Sequence, residues 1–493
     1  MKHFKYLILF AALGLLGFSS CDGFLNMQPS NSGNAETAIA TPADAKVVIN
    51  GIMRSMSSSN YYGRNFIMYG DAKGGDLTIY SSGRGLDALY SFNHTPTSNS
   101  YSGFWETGYY CIMQLNNLLE NIDRLESAGG TGFSFYKGQA LTLRALIYFD
   151  LVRLYGLPYN YDKSSYGVPN ITKTLEADAQ PVRATVEENY TQILTDLTTA
   201  MPLLAENKTP QNGYIGYYAN IAIQARVKLY MEDYDGALTA AQEIIEKSSY
   251  KLYQPSEWVS SWSKQYGSES IFEIGIDTES DLGTSSLGFY LMRYGQVSGA
   301  QGWFLASDYF LARLGQDASD VRWGIMDNDE YWVETKEARK GACYKYLGTT
   351  SLSGDGKETY TAVNVKVIRL SEIYLIAAEA ALHAKTPDAG LAASYLNEVR
   401  KRAPQLIPAD ASTVTDDMIL DERSKELFGE GQRFFDMIRK NKTIEFNDDF
   451  QGVPVSKREK TLDRTFNKIV LPISQSEINA NPALADEQNE AYK

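Results

Sequence analysis

The sequence predicts a mainly α-helical fold: a scaffold of tetratricopeptide-like helix pairs, with an irregular, short-stranded insert forming the ligand face. Three observations lead there. Apolar residues recur at helical spacing in a series of long blocks. Several blocks come in pairs joined by short turns, with small residues at close-packing positions. Between two helical sets, Tyr250 to Val365 loses that periodicity and holds Trp258, Trp262, Trp303, Trp323 and Trp332, all the tryptophans but Trp105.

The elements follow in order. Lys2 and Lys5 precede a short apolar run from Tyr6 to Phe18, the form of a secretory signal and too short for a bilayer of about 30 Å. Ser19 and Ser20 then lead into Cys21, which points to cleavage before Cys21 and acylation of its sulfur, as in a bacterial lipoprotein. Phe18 stands where such a site prefers Leu, so the motif is a relaxed one. Residues 1–20 are thus read as a signal peptide, 21–40 as lipid anchor and Ser/Asn/Gly-rich tether, and 41–493 as one domain. Thr41-Pro42-Ala43 opens a helix that runs to about Met56, with Thr41 as N-cap and Pro42 in the first turn. From Ser57 to Ser102 periodicity is weak, and a run of that length is commonly functional.

Helices are expected at Tyr101–Leu125, Tyr136–Tyr155, Val186–Leu204, Tyr217–Met231 and Tyr234–Ser248. The second is apolar nearly all round in its later half and should be central. Thr185 and Glu188 have capping-box spacing at the start of the third. Ile368–Ala384, with its stripe of Leu370, Ile373, Tyr374, Ala377 and Ala381, pairs with Asp388–Arg402. The helical scaffold therefore covers about 101–250 and 366–445, and the variable face about 57–100 and 250–365. Within the insert, SIFEIGI, CYKYLGTT and TYTAVNVKV read as strands, and Gly354-Asp355-Gly356 suits a hairpin turn.

Composition narrows the function. The net charge of −14 becomes −16 once Lys2 and Lys5 leave with the signal, which argues against nucleic acid. Cys111 and Cys343 each read as a small buried apolar residue rather than half of a disulfide. The 34 tyrosines suit both a core and a wet binding surface.

Several segments in this order resemble the SusD/RagB family of outer-membrane lipoproteins. They are CDGFLNMQP, GFWETGYYCIMQLNNLLENI, ALTLRALIYFDLVRLYGLPY, ESIFEI, VIRLSEIYLIAAEA, LNEVRKRA, DERSKELFGEGQRFFDMIR and the terminal KIVLPISQSEINANPALADEQNEAY. The resemblance implies a SusD-like fold and a lipid-anchored, cell-surface binding protein that is not an enzyme. It also implies a partner, a SusC-like TonB-dependent transporter, to which the protein delivers captured oligo- or polysaccharide. Some relatives accept peptides, so a RagB-like peptide carrier is the alternative, with a surface glycoside hydrolase a distant third.

A glycosidase would need two carboxylates about 5 Å or about 6.5–9.5 Å apart. Asp71 with Asp76, and Asp327 with Asp329, are the nearest offers, and neither lies in a motif that demands the pair. After the signal only His94 and His383 remain for any histidine chemistry. MDNDEYW lacks the Gly and distal Glu of an EF-hand loop, so no cofactor is expected beyond the lipid on Cys21, with a structural calcium possible but unlocated. In DERSKELFGEGQRFFDMIR the charges read as ties between two helices broken apart by Gly429 and Gly431.

Sugar binding asks for exposed aromatic faces flanked by groups that read hydroxyls. The candidates therefore come from the loops: Tyr80, then Tyr290 and Trp303 with Arg293 and Gln301 as polar companions.

Overall fold

The computed structural model describes residues 39–80, 87–97, 102–277, 279–293, 298–329, 339–348, 361–446 and 459–493. Cys21, the tether, Trp332 and the Gly354-Asp355-Gly356 turn lie outside the described residues.

Helix α1 (Pro42–Met56) starts where its signals place it, with a capping box in which Thr41 and Asp44 each satisfy the other's backbone N–H. It buries Ala45, Ile49, Ile52 and Met56 on one stripe. The weakly patterned run that follows is more ordered than expected. It forms α2 (Asn65–Lys73) and strand β1 (Leu77–Ile79). Helix α2 is buried from Phe66 through Lys73, so it has no polar face and no amphipathic stripe to detect. Gly70 lies so close to the Gly431 backbone that a Cβ would sit 2.0 Å from its carbonyl oxygen.

The scaffold comprises α3 (Ser102–Ser127), α4 (Ser134–Tyr155), α5 (Val186–Leu203), α6 (Tyr217–Tyr230) and α7 (Tyr234–Lys247). As its composition implies, α4 is buried continuously from Gly138 to Tyr155. Arg144 on α4 is held in a bidentate pair with Asp196 on α5 at 2.8 and 2.7 Å. Helices α6 and α7 form an antiparallel pair, with Asp233 capping the second through the Gly236 amide.

In the insert, β2 (Ser270–Ile274) is followed by α8 (Leu287–Leu291), β3 (Phe304–Ala306) and α9 (Asp308–Leu314). β3 pairs antiparallel with β1, Thr78 opposite Leu305. β2 pairs with β4 (Val365–Arg369), which runs straight into α10 (Leu370–His383). Ile368 and Arg369 are thus strand residues, where helix was expected. Of CYKYLGTT only Cys343 is a strand residue among those described, in the short strand Ala342–Cys343 paired with Met326–Asp327. α10 packs on α7 and on α11 (Ala389–Arg400), completing the layered pairs. Helices α12 (Asp416–Glu426) and α13 (Arg433–Arg439) are separated by Gly429 and Gly431 at φ +80° and +75°. Arg423 and Asp436 then bridge them at 2.7 Å.

Cys111 and Cys343 are buried free thiols. Among the described residues no helix is long and apolar enough to cross a membrane.

Candidate functional site

The β1–β3 ladder assembles the candidate site. Its last rung is the Tyr80 amide donating to the Trp303 carbonyl at 2.7 Å, which puts two aromatic residues from distant sequence side by side at one strand end. Both are half-buried. Trp303 packs against the main hydrophobic core. Its ring meets the edge of Tyr290 at 4.9 Å and 83°, near the T-shaped optimum.

Two of the expected contact residues sit deeper than a surface platform. Tyr290, on the apolar helix α8, is 8% exposed, and Arg293, two residues beyond that helix, is fully buried. Arg293 lays its guanidinium over the Tyr80 ring at 4.0 Å and donates through Nη1 to the Gly302 carbonyl at 2.9 Å. Tyr290 and Arg293 therefore lie against the Trp303 and Tyr80 rings from beneath the surface. Gln301, half-buried, is anchored by its amide on the Phe289 carbonyl, and its side chain donates to Gly299. Gly302 has φ +56°, and a Cβ there would meet the Arg293 Cδ at 2.9 Å, so both backbone angle and space require glycine.

Arg64 is the residue missed by sequence. Its guanidinium covers Tyr290 at 4.7 Å, and it donates to the Ser285 carbonyl at 3.2 Å and to Asn65. Burial lowers its pKa from the ordinary arginine value. The only signal that could have raised it was the apolar NFIMY run that starts beside it and locks the loop.

The candidate carboxylate pairs are used elsewhere. Asp71 is fully buried and accepts the Gly429 N–H at 2.6 Å. Burial, reinforced by Asp76, pushes its carboxyl up to about 8. Asp76 is ion-paired to Arg313 and accepts the Ser424 hydroxyl at 2.7 Å. Asp329 is buried against Arg339, while Asp327 is exposed. His94 is buried beside the Tyr492 hydroxyl at 2.7 Å, and burial drives its pKa down to about 2, so it stays neutral. His383 pairs with Asp416 at the end of α10. Among the described residues no group of three His, Cys, Asp or Glu is arranged to hold a metal.

Comparison with known proteins gives two family matches: the SusD family over residues 289–492, and a family described as starch-binding associating with outer membrane over 23–229. A SusD-like protein, P38, from Formosa agariphila is 24% identical over the whole of both chains. A SusD superfamily protein from Bacteroides thetaiotaomicron is 32% identical, with a TM-score of 0.79 over 91% of this chain and 99% of its own. A crystal structure described as a putative sugar binding protein from Bacteroides vulgatus is also 32% identical, with a TM-score of 0.81 over 93% of this chain and 100% of its own.

Proposed function

Since this chain belongs to the SusD family, we propose that it is a cell-surface glycan-binding lipoprotein that captures oligo- or polysaccharide and delivers it to a partner SusC-like TonB-dependent outer-membrane transporter. Acylated Cys21 is its membrane anchor, and binding, not bond cleavage, is its work. The observation that carries the reading is the pairing of Tyr80 with Trp303 on a strand ladder. A pyranose presents an apolar C–H face and a rim of hydroxyls. Rings already held by Tyr290, Arg293 and Arg64 bury that face with little loss of side-chain freedom. The sugar-binding description of the Bacteroides vulgatus relative and the starch-binding, outer-membrane description of the matched family support the same cargo and place.

The test is native affinity electrophoresis of the whole protein in detergent, through gels containing starch, laminarin, xylan or mannan. Retardation by one glycan class, removed by Trp303→Ala with folding intact, is the expected result. A Trp303→Ala protein retarded as strongly as the parent, or a parent that no glycan retards, refutes it.

A further inference from the structure

A second cleft, of about 400 Å³, lies between the segment after α4 and the C-terminal segment, and it shares no residue with the Tyr80–Trp303 site. Its size falls in the usual range for small-ligand sites, about 300–1,000 Å³. Tyr161 and Tyr166 line it, each 43% exposed in a molecule that buries most of its large rings. Both rings are in contact with cations. The Arg464 guanidinium lies over the Tyr161 ring at 4.9 Å, and the Arg183 guanidinium over the Tyr166 ring at 5.4 Å.

Arg183 is itself 5% exposed and immobilised. It donates to the carbonyls of Tyr155, Gly167 and Glu487 at 2.9, 2.7 and 2.6 Å. Tyr166 is further tied by a β-bridge to Thr185, and the Tyr161 amide closes a turn onto the Pro158 carbonyl at 2.8 Å. The opposite wall is set as firmly. Asp463 accepts both the amide and the hydroxyl of Thr465, at 2.8 and 2.6 Å, and the Leu471 amide bonds the Leu154 carbonyl of α4 at 2.8 Å. Thr465 and Asn467 are exposed beside the rings.

Both rings line the cleft and keep exposed surface beside the guanidinium that covers each. Fixed aromatic rings next to short uncharged hydrogen-bonding side chains match a sugar ring's apolar face and hydroxyl rim. Arg464 stands among Asp162 and Glu490, so no single charge sign dominates.

We propose that this cleft is a second saccharide-binding site, taking a neutral pyranose unit on Tyr161 and Tyr166. It takes its cargo class from the function proposed above, but its geometry is independent of that site. Two sites on one protein engage one polysaccharide together, so the second acts at high effective concentration and strengthens retention of long chains above short ones.

The experiment measures binding of starch, laminarin, xylan and mannan to the whole protein in detergent, for the parent, a Tyr161→Ala/Tyr166→Ala double variant and Trp303→Ala. Hydrogen exchange of segments 157–166 and 464–467 is followed in the parent with and without polysaccharide, so the outcome does not depend on how well the variant folds. The proposal expects slowed exchange in those segments and a rise of at least about tenfold in Kd for the tyrosine variant, which removes two stacked rings. Parent binding with neither change overturns the second site and leaves the first standing. A parent that binds none of the four overturns both. Loss in the tyrosine variant with Trp303→Ala unaffected upholds this cleft and overturns the first site.

Discussion

Glu426→Gln is the sharpest test of how this fold is held. The Glu426 carboxylate is fully buried at the end of α12. One oxygen accepts the Trp258 indole N–H at 3.2 Å and the Arg369 Nη1 at 3.0 Å. The other lies 3.3 Å from Arg402 Nε and 3.4 Å from Arg322 Nη1. The surrounding network pairs Arg322, Arg369, Arg402, Lys345 and Lys425 with Asp320, Glu269, Glu422, Glu426 and Glu430, and its charges cancel. Glutamine keeps the shape but leaves one buried positive charge uncompensated and turns an NH₂ toward guanidinium donors.

Breaking a buried pair on one side costs about 3–5 kcal/mol. The carboxyl's pKa gives a second estimate. Burial alone would raise it, but Arg402, Arg369 and Arg322 overcome that and hold it at about 2 against an ordinary 4.5. At about 1.4 kcal/mol per tenfold this amounts to about 3 kcal/mol. Because the folded pKa is depressed, that stability is fully present above the ordinary carboxylate range and is lost as pH falls from about 4.5 toward about 2. Urea unfolding at pH 7 should therefore show Glu426→Gln weaker by about 3 kcal/mol at unchanged m, out of a total of order 5–15. The deficit should shrink below pH 4, and Arg322→Met should restore part of it in the double variant. A loss under about 1 kcal/mol, the size of an exposed pair, would refute the reasoning.

Two further variants probe the buried carboxyl and the site's turn. Asp71, with its pKa pushed up to about 8, is protonated in the fold, so the native state binds the extra proton and stability declines as pH rises from about 4 to about 8; Asp71→Asn should flatten that limb of a Tm-against-pH profile. Gly302→Ala forces a left-handed residue against Arg293 and should cost about 1–2 kcal/mol in thermal unfolding, with weaker glycan retardation because the Tyr80–Trp303 rung shifts.

Where one face of a helix carries its own pattern, the sequence declares it. Thr41 with Pro42 and Thr185 with Glu188 mark helix starts to the residue, and the all-apolar half of α4 announces its central place. Helix α2 escapes because it is buried all round and short, so no period survives in NFIMYGDAK. The site was legible as a set of loop aromatics and not as a geometry. Tyr80 and Trp303 meet only through the pairing of three-residue strands more than two hundred positions apart, and nothing local encodes that register. The same dependence sets the depth of Tyr290 and Arg293. Their residue types suit ligand contact, yet Tyr290 in α8 and Arg293 just beyond it are both buried against the Trp303 and Tyr80 rings. Arg64 was invisible for the converse reason, since a single arginine in an unpatterned run reads as solvated until Tyr290 is placed under it.

The charge network also explains how a scaffold of regular helices carries so irregular an insert. Glu269 stands at the threshold of β2 and Arg369 at the last residue of β4, so the two ends of the segment between them meet at 2.9 Å. Both are gripped from the scaffold side: Arg369 by Glu426 and Glu430, and Glu269 by Arg402. Closing a long loop costs little more than closing a short one, because the entropy grows only with the logarithm of length. Once its ends are pinned by buried ions, the intervening chain can change length and sequence at small expense to the fold. The strength of the pin and the freedom of the face are then one property. Weakening Glu426 should loosen the approach of β2 and β4 before it disturbs the α4–α5 pair, whose own Arg144–Asp196 clamp lies outside the network. Hydrogen exchange on Glu426→Gln would show that order directly, with β2 and β4 amides released while those of α4 stay protected.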